Sequence, residues 1–157
     1  MATGVTTNYL ASIMAIKSFD HDPGATSAKE VSGDGGTTKN YVAMRDFETF
    51  GLLVFNSVST SASGPTLVEL VAATDSSGTN ITVVLSSGTV ASVTVGDNIF
   101  LEVSAAQIKE VGDAAGLTFT HVSGRITCSN SGDECVATFI RAKPKYPQSA
   151  LTLNNIT

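Results

Sequence analysis

A chain of 157 residues with 42% hydrophobic and 15% charged residues is long enough to bury one core and too short for two ordinary domains. Its formal net charge of −5 sets nucleic acid aside as an expected partner, because non-specific affinity for phosphates comes from Lys and Arg that displace counterions. No apolar run approaches the ~20 residues with which a helix crosses a bilayer, so no membrane partner is expected either.

Ser, Thr and Gly take much of the place left by the sparse charges, a composition that suits an all-β protein with hydroxyls on its surface and glycines in its turns. The N-terminal stretch MATGVTTNYLASIMAIKSF lacks the basic start and unbroken apolar core of an export leader, which predicts synthesis and retention in a cytoplasm. Leu10, Ile13, Met14 and Ile16 fit a helical face poorly and an extended segment better. Residues 1–24 are therefore read as an N-terminal arm that packs on the body or on a neighbour, ending in the turn-like FDHDPG.

A turn is expected from Gly33 to Gly36, with a strand beginning in TTKNYVAM. Residues 50–58 are apolar on both faces, which predicts a central strand. STSASGP reads as a loop, TLVELVAAT as a strand, and DSSGTN as a turn with Gly78 left-handed. ITVVLSS then pairs back as a hairpin, Ser87 and Gly88 turn the chain, and TVASVTV is expected to form a further strand closed by Gly96 and Asp97. Short strands separated by turn signals every ~8–12 residues predict an antiparallel β-sandwich or barrel, jelly-roll-like.

One helix interrupts this pattern near residues 105–115. Ser104 and Gln107 have the spacing of a capping box, Gly116 is placed to end the helix in a left-handed turn, and Ile108, Val111 and Ala115 are expected to share its buried face. Residues 117–126 and 135–141 then read as a β-hairpin, with Ser123 and Gly124 as a bulge. Pro144 and Pro147 break the register, so residues 144–157 are read as a C-terminal arm beyond a single β-rich domain of residues 25–143.

Little in the chain suggests catalysis, which needs a base, a nucleophile and an orienting group together, and no catalytic residue or cofactor is assigned. Asp20, His21 and Asp22 could ligate a divalent metal, but a turn stabilised by Asp side chains accounts for the same residues. Gly33 to Gly36 lack the spacing of a phosphate loop. Asp133 and Glu134 read as solvated turn residues, and His121 as a surface or interface residue on a strand. Cys128 and Cys135 bracket SNSGDE at positions where facing antiparallel strands would allow a disulfide; two half-buried thiols is the alternative, and two sulfurs do not make a structural zinc site. Arg141, Lys143 and Lys145 alternate and, with Arg125, supply four of the nine basic residues. This stripe would either dock on an acidic neighbour or serve as a solvated strand edge that discourages aggregation.

The order YVAMRDFETFGLLVFNSV, TLVELVAATDSSGTN, DNIFLEVSAAQIKEVG, THVSGRITCSNSGDECVATFIRAK, following an N-terminal arm and a Gly-rich turn, resembles the small β-rich virion proteins of tailed bacteriophages. Across residues 25–143 it is most similar in character to capsid decoration, or cement, proteins, a likeness of overall pattern with no diagnostic motif. The resemblance implies a protein on the outer head surface of the virion, bound to the major capsid protein and to itself as a homotrimer. Leu10, Ile13, Tyr146, Leu151 and Leu153 are the candidate arm contacts, with packing on their own subunit as the alternative. Other virion roles (tail, neck or head completion), a carbohydrate-binding module and a hydrolytic enzyme are the rival classes. The absence of Trp and the presence of three Tyr give a sugar few stacking platforms.

Overall fold

The computed structural model describes residues 14–21, 28–32, 38–59, 64–90 and 93–145. Among these residues nine strands and one helix follow in the order β1 (Met14–His21), β2 (Lys29–Glu30), β3 (Val42–Ala43), β4 (Phe47–Val58), β5 (Pro65–Ala73), β6 (Thr82–Ser86), β7 (Asn98–Ser104), α1 (Ala105–Ala115), β8 (His121–Cys128) and β9 (Glu134–Pro144). Two antiparallel sheets result, one ordered β1-β9-β4-β7 and the other β2-β8-β5-β6, with β3 also on β8.

The pairings nest. β5 pairs with β6 through a local turn, β4 pairs with β7 outside it, β2 and β3 pair with β8 outside that, and β1 pairs with β9 outermost. A ribbon of this kind rolls up when β9 also pairs with β4 and β8 with β5, giving a jelly-roll sandwich that does not close into a barrel. β4 is central, as its two-sided apolar run predicts.

Alternation places Phe50, Leu52 and Val54 of β4 and Val68, Leu70 and Ala72 of β5 in one core cluster with Val122, Ile126 and Phe139. Phe139 sits between Phe19 and Phe50, with ring centroids 4.9 and 5.3 Å away and tilted or edge-on geometry. The helix closes the sandwich through Ile108. Its N-cap is the expected box, in which Ser104 Oγ accepts from Gln107 N and Gln107 Oε1 accepts from Ser104 N, and Gly116 ends it at φ 67°. The buried helical residues are Ile108 and Gly112, while Val111 is half-buried and Ala115 exposed. The chain returns so closely that a Cβ on Gly112 would lie 2.7 Å from Leu117 O, which turns the face toward 108 and 112.

Several expectations are corrected. Strands β8 and β9 lie in opposite sheets, so the segment between them is an arch and not a hairpin turn. Asp133, fully buried, holds the arch by accepting from Ser129 Oγ at 2.8 Å and Asn130 N at 2.9 Å. Residues 89, 90 and 93–95 form no strand; Val90 N donates to Thr66 O, Gly64 N donates to Val93 O, and Asp97 ties the end through Thr94. No bulge occurs at Ser123 and Gly124, where the register with Val71 and Leu70 is unbroken. Gly124 instead serves a close approach. Residues 14–21 of the expected arm are an edge strand held to β9 by eight register pairs, and β9 runs on to Pro144.

A Cβ on Gly124 would fall 2.7 Å from Leu52 Cδ2 and 3.0 Å from Val31 Cγ2 in the middle of the core. Gly124→Ala should therefore lower stability by about 1–3 kcal/mol through overpacking, read as a lower urea midpoint at unchanged slope.

Candidate docking surfaces

Register places the limits of the described body at one end of one sheet. Met14 opposes Ala142, Thr49 opposes both Ala142 and Ser104, and Phe47 opposes Pro144. The described chain therefore begins, at Met14, and stops, at Lys145, on neighbouring strands at the same end. The Ala43 to Phe47 turn lies there too, tied by the Lys145 amide donating to Asp46 O at 2.9 Å. Exposed Arg45, Lys143 and Lys145 occupy this end with acidic Asp46 and Glu48. Lys143 has φ 52°, a left-handed backbone rare outside glycine, yet Pro144 beyond it still pairs with Phe47.

Arg141 does different work. Its Nη1 donates to Ala43 O at 3.1 Å and its guanidinium lies 4.7 Å from the Phe47 ring centroid. Burial lowers its pKa below the usual arginine range, opposed by Asp46. The alternating basic stripe thus divides into one residue that clamps the turn and two, Lys143 and Lys145, that face solvent.

The outer face of the β1-β9-β4-β7 sheet is apolar at its centre. Ile16, Phe55 and Phe100 are 44%, 41% and 51% exposed, and Leu53, Val136 and Ile140 share the face by alternation. Phe100 lies over Gly51, where a Cβ would come within 2.9 Å of its ring. Described charges on this face stand at its margin: Glu102 on edge strand β7, Glu134 at the start of β9, and Asp20 at a position of β1 opposite Val136.

The other outer face is covered from within the chain. Between β2 and β3 an antiparallel bridge joins Ser32 to Lys39, Val31 N donates to Gly124 O and Asn40 N to Val31 O. Tyr41 then packs with Val71, Ala73, Ile81 and Val83. Beside it runs a row of charge across three strands: Glu30 and Glu69 both oppose Arg125, Arg125 Nε donates to Glu69 Oε2 at 2.7 Å, and Lys39 pairs with Glu30 at 3.4 Å. Tyr41 Oη is buried with no hydrogen-bond partner among the described residues. Desolvation, and then the Glu30 charge, hold its pKa far above the usual tyrosine value, with Arg125 opposing.

No group of three or more His, Cys, Asp or Glu among the described residues could hold a metal, and no helix among them is long and apolar enough to cross a membrane. Asp20 and His21 lie on β1 and not in a turn; Asp22 lies outside the described residues. His121 is half-buried, with Nδ1 2.8 Å from Thr120 Oγ1. Asp133 is buried, not solvated. Cys128 and Cys135 are buried thiols on strands of opposite sheets, so they are not the facing pair of one hairpin. Leu10, Ile13, Tyr146, Leu151 and Leu153 lie outside the described residues. Arg45, Phe55 and Phe100 were missed by sequence reasoning; the alternation in β4 and β7 carries the signal for the two phenylalanines, but only a known partner strand shows which face is outside. Compared with family models and with curated proteins, the chain matches none.

An unpartnered buried hydroxyl costs about 1–3 kcal/mol, so Tyr41→Phe should leave neutral-pH stability unchanged or raise it by about 1 kcal/mol. The raised native pKa gives a second readout. The unfolded chain loses the Tyr41 proton near the ordinary tyrosine value of 10.0 while the native one keeps it, so stability is unaffected by this group below that pH and falls as pH rises further. Urea titrations above pH ~10 should show a steeper loss in the wild type than in Tyr41→Phe.

Proposed function

We propose that this protein is a non-enzymatic virion structural protein of the tailed-bacteriophage kind, a capsid decoration protein that binds the outer head surface and bridges major capsid proteins. The observation that carries the reading is the end of the sandwich at which the described chain begins with Met14 and stops at Lys145, and which exposes Arg45, Lys143 and Lys145. A rigid sandwich supplies the body, and a segment that orders on binding adds contact area without enlarging the core. An acidic patch on the capsid protein is the complement that this end calls for. Association as a homotrimer would present three such ends together and raise avidity.

The mechanism is linkage. A ligand that binds the expanded shell and not its precursor stabilises the expanded form in proportion to occupancy, so many weak contacts per head suffice and no bond is made or broken. In this scheme Lys143 and Lys145 steer and orient the end, while Leu10 and Ile13 of the N-terminal segment supply apolar contact. Arg141 holds the turn that carries Arg45.

Co-sedimentation with expanded heads that lack the protein tests the reading. Wild type should bind at low salt and weaken as salt rises, and Lys143→Glu/Lys145→Glu should bind at least about tenfold more weakly with unchanged thermal stability. Equal binding by the variant would remove the basic end from the contact, and no binding by the wild type would remove the decoration role.

A further inference from the structure

Taken strand by strand, the order β1-β9-β4-β7 lies over β2-β8-β5-β6, with β4 packed on β5 and β7 on β6. That order seats β9 on β8, the two strands that carry Cys135 and Cys128 at the ends joined by the arch. We infer that the pair is a redox site: Cys128 and Cys135 face each other across the sandwich at the mouth of the arch, and a small-molecule disulfide oxidises them to a bridge that staples the two sheets.

Three observations point to this pairing. First, both side chains face inward. Cys128 alternates with Ile126, and Cys135 with Ala137 and Phe139; all belong to one core cluster, and the cysteines are 1% and 0% exposed. Second, both stand at a level where the sheets close in. Cys128 opposes Pro65 and Cys135 opposes Asn56, and beside Pro65 a Cβ on Gly64 would fall 2.4 Å from Asn56 Nδ2. One Asn side chain therefore fills the gap between the sheets. That is closer than the ~10 Å at which sheet faces usually pack, and it approaches the Cα separation of about 4.4–6.8 Å that a disulfide needs.

Third, the arch is drawn tight. Asp133 accepts from Ser129 Oγ at 2.8 Å and Asn130 N at 2.9 Å, its own amide donates to Asn130 O at 3.2 Å, and Ser129 N donates to Gly64 O at 3.2 Å. The neighbour of Cys128 and the residue two before Cys135 are thus held together.

Oxidised glutathione supplies the balance. One cysteine thiolate attacks a glutathione sulfur and releases one glutathione; the second thiolate attacks the protein sulfur of the mixed disulfide and releases the other. Two protein S–H bonds are lost, one S–S bond forms, and the two electrons leave in two glutathione thiols. Because both sulfurs are buried, the exchange takes place before the chain folds or while the arch is open. The thiols persist in a reducing compartment, and an oxidising medium closes the staple. This inference goes beyond the proposed function and does not rest on it.

The test uses the full-length protein without phage heads, so its failure and that of the decoration reading are separate results. Refolded from urea with excess oxidised glutathione, then denatured and treated with iodoacetamide, the chain should be unlabelled, lighter by two hydrogens and not linked to a second chain. Its thermal midpoint should lie about 5–10 °C above that of the reduced protein, and a phosphine reductant should abolish the difference. Cys128→Ala/Cys135→Ala should show one midpoint in both redox buffers. Two labelled thiols, a glutathione adduct or a disulfide between chains would overturn the inference. So would an internal bridge that lowers the midpoint or leaves it unchanged, because the two sulfurs would then not be neighbours in the native fold.

Discussion

The pairing of β9 with β4 holds the rolled ribbon together. It spans most of both strands, from Phe47 opposite Pro144 to Val58 opposite Glu134, and it stacks Phe139 against Phe50 at the centre of the core. Without it the β1·β9 pair at the outside of the nest has no seat, and the sandwich opens. Its partner on the other sheet, β5 with β8, depends on the approach of Leu52 and Val31 over Gly124. Both contacts join segments far apart in sequence, a topology that closes large loops before it is rewarded with burial and so folds slowly.

The same pairing organises the surface. Because β1 and β9, the first and last strands among the described residues, are neighbours, Met14 and Lys145 lie at the same end, and the Ala43 to Phe47 turn is pinned there by Arg141. That end carries exposed Arg45, Lys143 and Lys145 together with exposed Glu48 and with Asp46, whose Oδ2 lies 3.3 Å from Arg45 Nε. The charges on the opposite face, Glu30, Lys39, Glu69 and Arg125, pair among themselves. They seal a local cluster and leave little to offer a partner.

What was legible in the sequence was what is decided locally. The Ser104–Gln107 box, the left-handed Gly78, Gly88 and Gly116, and the apolar run of β4 each carry their cause within a few residues. What was hidden is decided by distant partners. Cys128 and Cys135 bracket a short polar loop in an arch as they would in a hairpin, since alternation fixes which side chains point inward and not which sheet receives the strand. TVASVTV has strand-like alternation, yet it lies where the chain must cross between sheets. Asp133 reads as a solvated turn residue until the Ser129 and Asn130 donors close around it. The basic end was half legible: Lys143 and Lys145 stand out as a stripe, but Arg45 joins them only through the β4·β9 register, and Arg141 leaves them for the Phe47 ring.

The decoration role rests most directly on stoichiometry. Light scattering of the purified protein, alone and after mixing with expanded heads that lack it, gives both masses in one experiment. The account predicts a trimer that saturates the heads at a fixed copy number. A ring or tube that ignores heads would contradict it and favour the tail or neck, and an inert monomer would contradict it altogether.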